Sequence, residues 1–195
     1  MQSVRNYYSF CKLFHMKTLG VIISLSLLFY SCREISFPEA QPAGVPALKE
    51  VPAALQGRYR GLDDKGNDTD TLIVESWGYH FKDGRDNDWL GRGVLSDSLV
   101  LKYFENFYFV NFRSGKHWVV RLIKVKSSGT IQFMSINIGD EGKRKSVLKK
   151  LSKRFKVLEI NEKGDLFFEI SPTKEQLMLL VKEGYFSGDD LEKIR

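Results

Sequence analysis

Short clusters of turn-forming residues divide most of this 195-residue chain into brief apolar and aromatic runs. Each cluster contains Gly or Asn, the residues that best accept the positive φ of a tight turn. Short runs separated by such turns are typical of strands joined by hairpins. The sequence therefore predicts a mainly β fold, an antiparallel meander that forms either a barrel or a sandwich. The turn clusters lie at residues 63–68, 82–85, 113–116, 127–130 and 161–165.

The runs between these clusters are candidate strands, and their alternation indicates which side of each strand is buried. In the run 106–112 both faces are apolar, so this strand is expected to be covered on both sides. In the run 165–170 Leu166, Phe168 and Ile170 share a face that is expected to point inward. The candidate strands are 57–62, 70–76, 79–82, 98–104, 106–112, 118–126, 130–138, 155–160 and 165–170.

A basic amphipathic helix is predicted near residues 143–153. The segment Lys143–Lys156 carries eight basic residues and no acid. Its apolar residues recur at helical spacing, which places the cations on the opposite face. These apolar residues are Val147, Leu148, Leu151 and Phe155.

A C-terminal helix is also predicted. Ser171-Pro172 can start it, since Ser is a good N-cap and Pro fits the first helical position. Leu177, Leu180 and Val181 form one apolar stripe, and Gly184 is a natural stop. A short helical turn over 189–194 is expected to end the chain.

An apolar run from Leu19 to Tyr30 precedes all of these elements. It is too short to span a bilayer, which takes roughly 17 to 25 residues. Lys17 lies before it and small polar residues follow it, the layout of a secretory signal peptide. We therefore expect the run to be removed from the mature protein. Translation would start at Met1 or at Met16. The alternative interpretation of the apolar run is a core helix with an incidental cysteine.

The residues that end this run, Leu28-Phe29-Tyr30-Ser31-Cys32, resemble the lipobox of bacterial lipoproteins. The resemblance implies that the Cys32 thiol is alkylated by diacylglycerol, that residues 1–31 are cleaved off, and that the new amino terminus is acylated. It also implies a membrane as partner and a place in the envelope of a Gram-negative bacterium, at the outer membrane, on its periplasmic or surface side. Two or more buried chains anchor a protein stably.

The mature chain is expected to hold together without a disulfide. Cys11 and Cys32 are the two cysteines, and on this interpretation the first is removed and the second lipidated. Four prolines between Ser36 and Pro52 predict an extended, semi-rigid tether over 32–52. A single β-rich domain is then expected over 53–195.

The start of that domain, Leu55-Gln56-Gly57-Arg58-Tyr59, is similar to the opening of lipocalins, with Tyr59 where that family has Trp. The resemblance implies an up-and-down barrel whose mouth takes a small apolar ligand. The alternative for the aromatic residues of the strands is a plain core role. As ligand-binding candidates they are Tyr59, Phe104, Phe107, Phe109, Trp118 and Phe133.

The sequence leaves three functions open. The first is a non-enzymatic, lipocalin-like carrier; the second is an envelope-accessory protein that contacts a membrane, a polysaccharide or a protein through Lys149, Lys150, Lys153 and Arg154. The third, a hydrolase, would need carboxylates that converge in one cleft. The sequence contains no nucleophile elbow, phosphate loop or Cys pair, so we expect no catalytic residue and no cofactor. Nucleic acid is not an expected partner of an exported protein.

Two acidic stretches and two histidines bear on metal binding. The stretch from Asp64 to Glu75 and the stretch from Asp86 to Asp97 depart from the calcium-loop pattern at ligand or turn positions. His80 and His117 are far apart and have no free cysteine beside them, which is a weak basis for zinc. We therefore expect solvated turns and half-buried strand histidines, and no metal site.

Overall fold

The computed structural model describes residues 33–61, 71–82 and 91–194. The predicted signal peptide, the predicted lipidation site Cys32, and part of each acidic stretch (residues 64–70 and 86–90) lie outside this part of the chain. The described part is mainly β, with twelve strands and two helices.

Each of the nine expected strands is present, with ends that differ by a few residues, and three further strands were not expected. The strands are β1 (Arg33–Phe37), β2 (Gly57–Arg60), β3 (Leu72–Glu75), β4 (Gly78–Phe81), β5 (Arg92–Val94), β6 (Leu99–Phe104), β7 (Phe107–Ser114), β8 (His117–Val125), β9 (Ile131–Ser135), β10 (Leu158–Glu162), β11 (Asp165–Glu169) and β12 (Ser187–Ile194). The helices are α1 (Glu141–Leu151) and α2 (Lys174–Lys182).

One mostly antiparallel sheet joins all twelve strands in the order β10-β11-β1-β8-β9-β12-β2-β3-β4-β5, with β7 beside β8 and β6 beside β7. Strand β8 is the branch point. One of its edges pairs with β7, while its other edge pairs first with β1 and then with β9. Within the described residues β10 and β5 do not meet, so the sheet stays open and does not close into a barrel.

Two apolar clusters lie on opposite faces of the central strands. The helix-side cluster joins Phe109, Leu122, Ile35 and the buried residues of both helices. The second cluster joins β6–β9 to β2 and β3 through Tyr59, Leu101 and their neighbours. Because side chains alternate along a strand, β7 contributes to both, and the expectation that it is covered on both sides is confirmed.

In β11 the expected inward face is confirmed, since Phe168 and Ile170 are buried in the helix-side cluster and Leu166 packs against it. Phe167 on the opposite face is buried as well. The reason is a ring contact with His117, whose centroid lies 5.2 Å from that of Phe167 in a stacked arrangement.

The proline-rich segment is part of the domain and not a free tether. Strand β1 lies between β8 and β11, and its Phe37 is 1% exposed. The chain that follows is bound to the sheet, since Lys102 Nζ donates to the carbonyls of Ala40 and Pro42 at 2.6 and 2.9 Å. The compact unit therefore begins at Arg33, not at residue 53. The prolines lie in the connection after β1, where they remove no sheet hydrogen bond.

The end of the chain also differs from expectation, because residues 187–194 form strand β12 in place of a helical turn. Its first half pairs with β9 and its second half with β2, so it links the two parts of the sheet. Gly188 permits the close approach to β9: a Cβ at this position would lie 1.9 Å from the Phe133 carbonyl oxygen.

Both helices begin at a side-chain cap. Asp140 Oδ1 accepts a hydrogen bond from Lys143 N at 2.9 Å, and Lys149 and Lys150 lie in the last turn, where cations favour the helix dipole. Helix α2 starts at Thr173, which forms a capping box with Gln176, and not at the expected Ser171.

Candidate functional site: an apolar cavity between the two parts of the sheet

A cavity of about 270 Å³ lies between strands β6–β9 on one side and β2–β4 on the other. Its wall is almost wholly apolar. The lining residues are Val51, Leu55, Tyr59, Gly61, Leu72, Val74, Gly78, Tyr79, Phe81, Leu95, Leu99, Leu101, Val110, Phe112, Ile123, Ile131, Phe133 and Leu191.

The two-residue period of the strands builds this wall. In β7, Val110 and Phe112 face the cavity, whereas Phe109 belongs to the helix-side cluster. The antiparallel pairing of β6 with β7 sets Leu101 opposite Val110 and Leu99 opposite Phe112, so these four side chains share one face.

Tyr59 forms part of the cavity wall and presents its ring, not its hydroxyl. The side chain is 0% exposed, and its hydroxyl donates to the Leu55 carbonyl oxygen at 2.9 Å. Burial raises the pKa of Tyr59, so the phenol stays neutral well beyond neutral pH. Because that hydroxyl is already bonded within the protein, Tyr59 offers a bound molecule an apolar surface.

The structure brings two of the six predicted aromatic residues to the cavity, Tyr59 and Phe133. Phe109 is fully buried in the helix-side cluster, and Phe104, Phe107 and Trp118 pack against that cluster. These four do not line the cavity. They were grouped with Tyr59 because aromatic content alone does not say which face of a strand a side chain occupies.

Most of the wall is aliphatic, and the sequence prediction missed it. The alternation of apolar residues could have identified part of this wall. Leu99 and Leu101 in β6, like Val110 and Phe112 in β7, lie two positions apart and so share one face of their strand. The sequence does not show that these residues face Leu72 and Val74 in the other part of the sheet, because only the tertiary fold brings the two parts together.

The basic residues predicted to contact an anionic surface lie on or just after α1. Lys149, Lys150 and Lys153 are exposed, and Arg154 Nη1 lies 2.6 Å from Glu183 Oε2 on α2's C-cap residue. The hydrogen bond that Arg154 donates to Glu183 raises the pKa of Arg154. A shallow groove is lined by Lys150, Lys153, Arg154, Glu183 and Tyr185.

The two histidines lie apart. His117 is nearly buried; its Nδ1 lies 2.7 Å from Glu169 Oε2 and its Nε2 lies 3.4 Å from Glu162 Oε2. The two carboxylates therefore converge on His117, but these three residues do not line the cavity. His80 instead stacks on Trp77, with ring centroids 5.8 Å apart. Among the described residues, no group of three or more His, Cys, Asp or Glu is arranged to hold a metal ion.

Comparisons of the chain with protein-family models, with curated proteins and with solved structures find no match. In the ranges that the structure describes, no helix has the length and apolar character needed to span a membrane.

Proposed function

We propose that this protein is a lipid-anchored, non-enzymatic component of a Gram-negative envelope, and that its domain holds a small apolar ligand in the cavity. The observation that supports a ligand is the cavity itself, about 270 Å³ between two parts of one sheet, with an apolar wall. The lipobox ending at Cys32 supports the anchor.

The energetics of an empty cavity favour occupation. Water against such a wall finds almost no hydrogen-bond partners in it. An apolar group that displaces this water gains roughly 25 cal/mol for each Å² of apolar surface that it covers. An apolar ligand would restore the missing contacts and would stabilise the domain by mass action.

The size and lining of the cavity define the class of ligand. Ligand pockets usually measure roughly 300–1,000 Å³, so this one lies at the small end. The aliphatic wall favours a compact hydrocarbon group, such as a short acyl or isoprenoid chain or one ring system. A polar head would have to remain at the mouth of the cavity.

Mass spectrometry of the protein purified from its own envelope tests both parts of the proposal. We expect the intact mature chain to begin at Cys32 and to carry diacylglycerol plus an amino-terminal acyl group. We also expect a chloroform extract of the washed protein to contain one small apolar compound in stoichiometric amount. A mature chain that begins elsewhere would overturn the anchor, and an extract without such a compound would overturn the ligand.

A further inference from the structure

We propose that α1 is the membrane-facing surface of the anchored domain, and that its exposed lysines contact anionic lipid headgroups of the leaflet that holds Cys32. This inference rests on the proposed anchor at Cys32 and adds an orientation and a second membrane contact to it.

The chain between the proposed anchor and the fold is short. Strand β1 begins at Arg33, the residue directly after Cys32. One residue spans at most about 3.6 Å. A lipid on Cys32 therefore holds the start of β1 at headgroup level, with no spacer that would let the domain stand away from the bilayer.

Helix α1 and strand β1 share one apolar cluster. Both elements contribute to the helix-side cluster, β1 through Ile35 and α1 through Leu151, with Val147 and Leu148 packed against it. The pKa of Glu141, at the start of α1, is lowered mainly by its hydrogen bond from Lys145 and in small part by the charge of Arg33. The start of α1 thus lies within electrostatic range of the start of β1.

The length of α1 limits how far its last residues lie from its start. Its eleven residues extend about 16 Å at about 1.5 Å per residue. The proposal places this length along the headgroup layer.

The cations on α1 and on the residues just after it differ in whether they are paired. Lys145 is paired with Glu141 at 2.7 Å, and Arg154 with Glu183 at 2.6 Å. Lys149, Lys150 and Lys153 are exposed and form no ion pair with any other residue that the structure describes. Three exposed cations that have no ion-pair partner among the described residues complement an anionic headgroup layer.

The apolar side of α1 determines the kind of contact. Leu151 is 0% exposed, and Val147 and Leu148 pack against the helix-side cluster. This side cannot insert into the bilayer while the domain stays folded. The contact is therefore electrostatic and confined to the headgroups, and it should weaken with salt, since charges are screened over about 8 Å at physiological ionic strength.

A fluorescence-quenching experiment on the lipidated protein tests this orientation. Once the lipid on Cys32 has been verified by mass, the mature chain has no other cysteine, so a cysteine introduced by Ser146→Cys takes a fluorophore specifically. Ser146 is exposed on α1, three and four residues before Lys149 and Lys150. The matched label is placed by Val94→Cys, on edge strand β5 with 48% of the side chain exposed.

Both labelled proteins are reconstituted in vesicles of phosphatidylcholine and phosphatidylglycerol, roughly three to one, that contain a headgroup quencher. We expect strong quenching at Ser146→Cys and little at Val94→Cys. We also expect high salt, or replacement of the anionic lipid by phosphatidylcholine, to bring the Ser146→Cys signal down to the Val94→Cys level. Equal quenching at both labels would overturn the proposal.

Charge reversal tests whether the exposed lysines Lys149, Lys150 and Lys153 make the membrane contact. Lys149→Glu, Lys150→Glu and Lys153→Glu together should abolish the difference between the two labels. The control reverses Lys49, Lys82 and Lys116, three exposed lysines outside α1, and should leave that difference intact. If both triple variants abolish the difference, net charge and not the position of the lysines is responsible; if both leave it intact, these lysines make no contact; either result overturns the inference. Because lipidation is verified first, either result leaves the anchor standing.

Discussion

Gln41 and Asn111 exchange a pair of hydrogen bonds across 70 positions of the sequence: Gln41 N donates to Asn111 Oδ1 at 2.6 Å, and Asn111 Nδ2 donates to the Gln41 carbonyl oxygen at 2.8 Å. Both residues are buried, with exposed fractions of 1% and 0%. This pair binds the segment after β1 to β7, and it explains why the proline-rich stretch belongs to the domain.

Replacing the buried amide should therefore destabilise the domain. Asn111→Ala leaves the amide and carbonyl groups of Gln41 without their partners in a buried place, and we expect a loss of about 2–4 kcal/mol in the free energy of unfolding. Urea denaturation measures it. Asn161→Ala, at an exposed position of β10, is the control and should change stability by less than about 0.5 kcal/mol. Similar losses in the two variants would contradict the assigned role.

The buried lysine beside this pair should make stability depend on alkaline pH. Desolvation lowers the pKa of Lys102 below its ordinary 10.5, although the charge of Glu39 partly opposes the shift. Between the folded-state pKa and 10.5 the unfolded chain binds more protons than the folded one at this site, so stability should rise with pH across that window.

The measurement compares wild type with Lys102→Met, which cannot titrate. At neutral pH the variant should be less stable, because the carbonyls of Ala40 and Pro42 lose their donor. As the pH approaches 10.5 the advantage of the wild type over the variant should increase. An advantage that stays constant or shrinks over this range would show that the pKa of Lys102 is not lowered.

The hydroxyl of Tyr59 should matter for stability and not for the apolar character of the cavity. Tyr59→Phe removes the hydrogen bond to the Leu55 carbonyl oxygen but keeps the ring, so we expect a loss of about 1 kcal/mol. The control is Tyr103→Phe, at a tyrosine that is 45% exposed, and it should be nearly neutral. Thermal unfolding of the two variants measures the difference, and a Tyr59→Phe protein as stable as the wild type would contradict this account.

The close approach of β12 to β9 should not tolerate a side chain at Gly188. A Cβ there would meet the Phe133 carbonyl oxygen at 1.9 Å, so Gly188→Ala must push the two strands apart. We expect a loss of about 2 kcal/mol or more, and faster amide hydrogen exchange in both strands. Gly139→Ala is the control, since its Cβ would come no closer than 3.5 Å to Asn137 Oδ1. Unchanged exchange in the Gly188→Ala protein would show that the approach is not as tight as described.

The elements that were predicted correctly are those whose own residue pattern determines their secondary structure. Strand β7 is apolar on both faces and α1 carries its apolar residues at helical spacing, so local pattern was sufficient for both. Strand β12 was missed because its residues are polar and mostly exposed, and it forms only because β9 and β2 offer free edges. Strand β1 was missed because five residues before a proline-rich stretch carry little local signal.

The cavity could be predicted from the sequence only in part. The alternation in β6 and β7 determines which of their side chains share a face, but the opposite wall comes from β2–β4, far away along the chain. The buried Asn111 and Lys102 carry no local signal either, because their burial depends on the segment that covers them. Tyr59 was identified through a resemblance at five residues, and it does line the cavity.

Binding of a neutral apolar fluorophore, phenylnaphthylamine, to ligand-stripped protein tests the central claim most directly. The account predicts saturable, enhanced fluorescence with the wild type and its loss in Val110→Phe, which fills the cavity from the middle of β7, while the domain remains folded by circular dichroism. Val94→Phe makes the same change at an exposed position and should bind the probe like the wild type. Saturable binding that survives in folded Val110→Phe, or no saturable binding by the wild type, would contradict the account.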